Sequence, residues 1–187
     1  DPRLKSYFNA AQGGRDNDGN ITQTVAGVKQ LTSIEGKFKG VRQGTGVGDN
    51  RYSTHSRATI TTSSKIIVMA AAEIWFLRAE AALRGFTSED VESCYKQGVT
   101  TSFAQWDASG VSEYLESENT PADYVDTFDK NFDAKATTSI TPKWDNTADN
   151  ETKLERIITQ KWLAIYPEGC EAWAEQRRTG YPKLFKV

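Results

Sequence analysis

Apolar positions fall into two regimes along the chain. Before residue 66 they are scattered singly among Gly, Asn, Asp, Ser and Thr, and nine of the 14 glycines lie between Gly13 and Gly48. Runs such as Gln12-Gly13-Gly14-Arg15-Asp16-Asn17-Asp18-Gly19-Asn20 and Gly44-Thr45-Gly46-Val47-Gly48-Asp49-Asn50 are turn chemistry. They predict long ordered loops, with short β pieces at Phe38 to Val41 and Arg57 to Thr62.

From Ile66 the apolar positions recur at helical spacing. Ile66 to Arg84 carries no Gly or Pro, is rich in Ala and Leu, and stops at Gly85, a residue suited to the position just past a helix end. Ile67, Ala70, Ala71, Ile74, Trp75, Phe76, Leu77 and Ala81 cover most of its circumference, which predicts a helix buried between neighbours. Glu80 and Arg84 form an i,i+4 pair. Ser88 as cap, with Glu89 and Asp90 in the first turn, predicts a second helix with Val91, Cys94, Tyr95, Val99 and Ser102 on one stripe. Two helices on so short a link make a hairpin of the tetratricopeptide kind, which needs neighbours to bury both faces.

Shorter helices are predicted at Ser112 to Glu116 and from Thr120-Pro121 onward, and extended chain from Thr137 to Pro142. An amphipathic helix spans about Asn150 to Tyr166, with Leu154, Ile157, Ile158, Trp162 and Ile165 inward, stopped by Pro167. A last helix sets Cys170, Trp173, Ala174 and Arg177 at three- to four-residue spacing. The pattern therefore divides the chain into a loop-rich region, 1–65, and a helical region, 66–187. The fold class is mainly α, with tetratricopeptide-like helix pairs, irregular loops and short β pieces.

Composition narrows the chemistry. Leu, Ile, Val and Phe number 36 of 187 residues, thin for a core, while 20 Phe, Trp and Tyr compensate with large buried areas. The net charge of -2, from 23 basic and 25 acidic residues, lacks the basic excess that nucleic acid requires. No run approaches the roughly 18 apolar residues of a membrane span. One His and two Cys leave little for a catalytic His dyad or a zinc site. Phosphate-loop, nucleophile-elbow and zinc-protease signatures are absent, so neither enzyme nor cofactor is expected. His55 in a Ser/Thr-rich loop reads as a surface residue. Asp16-Asn17-Asp18-Gly19-Asn20 is dense in oxygen ligands but breaks the EF-hand spacing, and reads as a polar turn. Cys94 and Cys170 are either a disulfide or two buried thiols. Arg177 and Arg178 can pair with Glu171 and Glu175 or pack on Trp173.

The aromatics carry the functional signal. Trp75, Phe76, Trp162 and Trp173 lie in periodic stretches and are expected in the core. Trp106, Tyr52, Phe38 and Trp144 lie in loops or at helix ends among hydrogen-bonding side chains, which suits stacking on the C–H face of a sugar. They rank in that order as candidate ligand-binding residues. Trp106 leads because Gln105 and Asp107 flank it at a helix end, and Tyr52 follows because Asn50, Arg51, Ser53 and His55 surround it. The competing reading is that these rings anchor loops.

Two long strings resemble the SusD/RagB-like outer-membrane proteins of Bacteroidetes. One is Ala71-Ala72-Glu73-Ile74-Trp75-Phe76-Leu77-Arg78-Ala79-Glu80-Ala81-Ala82-Leu83-Arg84-Gly85. The other runs from Leu154 through Trp162 and Pro167-Glu168-Gly169 to Arg177-Arg178-Thr179-Gly180-Tyr181-Pro182. Asp1-Pro2-Arg3-Leu4 resembles the start of that family's second half. Gly98 to Trp106 resembles the stretch after the first string. The resemblance implies a surface-exposed, lipid-anchored outer-membrane protein that binds oligosaccharide and sits over a SusC-like TonB-dependent transporter. It implies the C-terminal part of a fold of about 500 residues, partnered by the N-terminal remainder of the same protein; an opening without Met or leader agrees. The lipid-anchor cysteine is outside this sequence. Alternatives are a helical protein–protein scaffold, a peptide-binding uptake component, or a carboxylate glycoside hydrolase.

Overall fold

The computed structural model describes residues 1–11, 36–43, 52, 55–127 and 129–185, with the backbone of 23–25 and 28–30. The calcium-like run Asp16–Asn20 and the Gly44–Asn50 turn lie outside the described residues. Two compact units result: Asp1–Arg3, Ser63–Pro121 and Thr137–Leu184 form one, and Leu4–Thr62, Ala122–Ala136 and Phe185–Val187 the other.

The first unit is helical. Helix α2 spans Ala71–Leu83, α3 Val91–Gln105, α4 Val111–Leu115, α5 Asn150–Ala164 and α6 Gly169–Thr179. Helix α2 begins five residues later than the apolar pattern predicts. The β-branched run Ile66-Ile67-Val68 disfavours helix, and the first turn closes with Glu73 N–H donating to Ala70 O at 3.0 Å. The helix ends as predicted: Gly85 adopts φ +76°, its N–H reaches Ala82 O and that of Phe86 reaches Ala81 O, a Schellman cap.

The cap of α3 is Asp90, not Ser88; its carboxylate accepts from Ser93 N–H at 2.8 Å, the stronger charge-assisted choice. Asp149 caps α5 the same way through Thr152 N–H at 2.7 Å.

The core joins Ala72, Phe76 and Ala79 of α2, Cys94, Tyr95, Val99 and Phe103 of α3, and Leu154, Ile157 and Ile158 of α5. Of the predicted stripes, Cys94, Tyr95, Val99 and Ser102 and Leu154, Ile157, Ile158 and Ile165 are buried, while Val91 and Trp162, the latter expected in the core, are half-buried. Two expectations fail. Helix α2 is not buried all round: Ile74 and Leu77 stay 39% and 37% exposed. Trp173 is 62% exposed, with the Arg177 guanidinium 4.7 Å from its ring. The predicted last helix forms, but Cys170, Trp173, Ala174 and Arg177 all lie on its exposed side and the buried residue is Glu175.

Buried Lys161 of α5 lies 3.3 Å from Glu73 and 3.0 Å from Glu175, and Arg178 makes two bonds to Glu80, 2.7 and 2.6 Å. These pairs tie α2, α5 and α6 together. Residues 120–127 form no helix, and Cys94 and Cys170 are free thiols, buried and exposed respectively.

The second unit holds α1 (Leu4–Tyr7) and two two-stranded antiparallel sheets. β1 (Phe8–Asn9) pairs with β4 (Arg57–Ala58), and β2 (Gln23–Val25) with β3 (Val28–Gln30). β4 falls in the predicted Arg57–Thr62 piece. Phe38 to Val41 forms no strand; Lys39 exchanges bonds with Ser56, its N–H donating to Ser56 Oγ and its O accepting from Ser56 N–H, both 2.9 Å, and Ala11 N–H donates to the preceding Lys37 O at 2.8 Å.

Candidate ligand-binding site

In the helical unit a cleft of about 530 Å³ opens between α4, the 117–121 and 140–142 segments, and one stripe of α5. The α5 stripe is Arg156, Thr159, Gln160 and Leu163, spaced i, i+3, i+4 and i+7. Beneath it lies Arg3, fully buried between the rings of Phe103 and Tyr114 at 4.9 and 5.5 Å. Its guanidinium donates to Ser102 Oγ at 2.8 Å, Gln160 Oε1 at 2.9 Å and Asp1 Oδ2 at 2.6 Å. Gln160 Nε2 donates to Tyr114 Oη at 2.8 Å, and Tyr114 Oη donates to Asp1 Oδ2 at 3.0 Å. The loop of bonds closes, so the buried charge is compensated and the Tyr114 ring held fixed.

The 140–142 wall is fixed from two sides: Tyr95 Oη donates to Pro142 O at 2.6 Å, and Arg156 Nε to Thr141 O at 3.0 Å. Burial holds the Tyr95 phenol far above the ordinary tyrosine range.

The four candidate stacking residues are placed differently. Trp106 caps the C-terminus of α3, as read from the sequence; it is half-buried, 6.0 Å from the Tyr166 ring, and followed by Asp107 at φ +50°. Trp144 is 8% exposed, its ring 5.0 Å from Tyr95 and its indole N–H donating to Asn146 Oδ1 at 2.9 Å. It belongs to the core.

In the other unit Tyr52 is 7% exposed, and its hydroxyl donates to Asp126 Oδ1 at 3.0 Å. Tyr124 Oη donates to the other oxygen of Asp126 at 2.8 Å; burial and that carboxylate push its phenol up to about 12. His55 is buried rather than on the surface, its Nε2 3.0 Å from Thr127 Oγ1. Burial lowers its pKa and Lys39 adds to this, against Asp126 and a bond to the Tyr52 backbone. Phe38 is half-buried. Asn50, Arg51 and Ser53, expected around Tyr52, lie outside the described residues. Each unit thus holds one half-open ring (Trp106, Phe38) and one enclosed ring (Trp144, Tyr52).

Sequence reading passed over Arg3, Arg156, Thr159 and Gln160. The available signal was the polar i, i+3, i+4 set on the side of α5 opposite Ile157 and Ile158.

Over residues 1–187 the chain matches the SusD-like family, described as Susd and RagB outer membrane lipoprotein. The chain belongs to the SusD-like family. A SusD homologue from Bacteroides thetaiotaomicron is 35% identical with a TM-score of 0.82, and one from Bacteroides vulgatus 44% identical with 0.77. A chitin-binding SusD homologue from Flavobacterium johnsoniae is 37% identical with 0.80. All of this chain and 36% of each of those chains are covered, so it spans about a third of the length of its solved relatives. No curated protein matches it.

Both SusD-like strings named from the sequence now have physical roles. Glu73 of the first meets Lys161 of the second and Glu80 meets Arg178, while Lys161 and Arg178 both also pair with Glu175. The family's mainly helical fold is the fold seen here, and no described helix is long and apolar enough to cross a membrane.

Proposed function

We propose that this chain is part of a non-enzymatic, surface-exposed outer-membrane lipoprotein that captures oligosaccharide and delivers it to a SusC-like TonB-dependent transporter. The observation that carries the reading is similarity over all of this chain and 36% of the other, at 37% identity and a TM-score of 0.80, to a homologue described as chitin-binding. The rigid bonding around Arg3 and the fixed wall at Pro142 suit recognition by a preformed surface. Trp106 and Phe38 lead as stacking residues because their rings are half open; Tyr52 and Trp144 contribute only if their surroundings move.

The test is affinity electrophoresis of the full-length protein on a panel of soluble polysaccharides, with assay for released reducing sugar. Retardation without sugar release supports capture. Trp106→Ala should weaken it by about 2 kcal/mol, some thirtyfold, with an unchanged circular dichroism spectrum. No retardation on any glycan in the panel sinks the reading.

A further inference from the structure

The α5 stripe facing the cleft carries two donors for which no acceptor lies among the described residues. Arg156 is 5% exposed; its Nε serves Thr141 O, but its Nη1 is buried without a partner. One turn on, Thr159 Oγ1 is also buried without a partner. Their neighbour Gln160 is by contrast satisfied at both ends. Buried polar groups are rarely left unbonded, because an unmet donor bears its full desolvation cost. Two of them, adjacent on one helix face and lining one cleft, mark a place where an acceptor from outside the chain belongs. The same lining supplies apolar Pro121, Ile140 and Leu163, and also the Asp1 and Glu113 carboxylates.

We propose that this cleft is a ligand subsite for the sp² oxygen of an acyl or carboxylate group on a saccharide. Arg156 and Thr159 donate to that oxygen, and Pro121, Ile140 and Leu163 cover the methyl or ring C–H beside it. The inference rests on the saccharide-capture reading above and adds the class of sugar. An sp² oxygen offers two lone pairs, one for each donor, and guanidinium is the side chain best matched to it. An N-acetyl carbonyl and a uronate carboxylate present the same atom. Neither donor atom is exposed to solvent, so engagement turns the half-buried Thr159 side chain about its χ1 bond and swings the Arg156 guanidinium toward the cleft.

Calorimetric titration of the full-length protein with equal-length oligomers of N-acetylglucosamine, galacturonate and glucose tests this. One of the first two should bind about tenfold tighter than the glucose oligomer, and which one identifies the source of the oxygen. Thr159→Val keeps the shape and removes the hydroxyl. It should weaken that preferred oligomer about three- to tenfold and leave glucose-oligomer binding unchanged; Arg156→Gln should weaken it further. The subsite is overturned if the three oligomers bind alike, if Thr159→Val binds like the unaltered protein, or if it weakens all three equally. If none of the three binds while another glycan is captured, only the subsite falls. If no glycan binds at all, the capture reading falls with it.

Discussion

Gly98 of α3 lies against Phe76 of α2 so closely that a Cβ on it would sit 2.8 Å from two carbons of the ring. The absent side chain lets α2 and α3 approach, and Phe76 fills the space with no exposed surface. Gly98→Ala gains about 1 kcal/mol in helix propensity, but overpacking of about 1–3 kcal/mol opposes it because an enclosed ring cannot retreat. We expect net destabilisation, read as a lower thermal midpoint. A raised midpoint would show that the ring can shift.

The two sides of α2 should respond differently. Phe76→Ala removes a fully buried ring and should destabilise by about 3–5 kcal/mol. Leu77→Ala acts at a 37% exposed position and should cost under about 1 kcal/mol. Urea denaturation of both variants gives the contrast; equal losses would mean that the outer face of α2 is covered in the intact protein.

Glu80 accepts two bonds from Arg178 and one from Arg84. Burial opposes its charge, yet these bonds and charges outweigh burial and hold its pKa below the ordinary 4.5. A carboxyl with a lowered folded-state pKa stabilises above the unfolded value and loses that contribution as pH falls through the folded one. Glu73 runs the other way: burial raises its pKa despite Lys161, so its contribution to stability declines as pH rises from the unfolded to the folded value. Thermal melts from pH 3 to 7 should therefore show a loss on the acid side that is smaller in Glu80→Gln. An identical slope in both proteins would remove Glu80 from the acid response.

Arg3→Lys keeps the charge but cannot serve Ser102, Gln160 and Asp1 together while lying between two rings. Losing charge-assisted bonds in a buried place should destabilise by about 2 kcal/mol or more. Near-ultraviolet circular dichroism should change with it, because Tyr114 loses its anchor. A variant with an unaltered melt and spectrum would make the bonding loop dispensable.

The sequence by itself determined what depends on spacing and local chemistry. It set the helical hairpin, the Gly85 stop, the buried stripes of α3 and α5, the end of α3 at Trp106 and the family. Each is a property of a few neighbouring residues. The tertiary structure alone decided which face of a helix is inward when both sides carry apolar groups. Trp173 points out although it lies at core spacing, because α6 turns its Glu175 side inward to buried Lys161. Tyr52, Trp144 and His55 are enclosed although they read as loop residues, since their partners Asp126, Tyr95 and Thr127 are at least 49 positions away in the chain. The Arg3 loop and the unused donors of Arg156 and Thr159 were invisible for the same reason. A hydrogen bond is a property of two atoms in space, and the chain order records only one of them at a time.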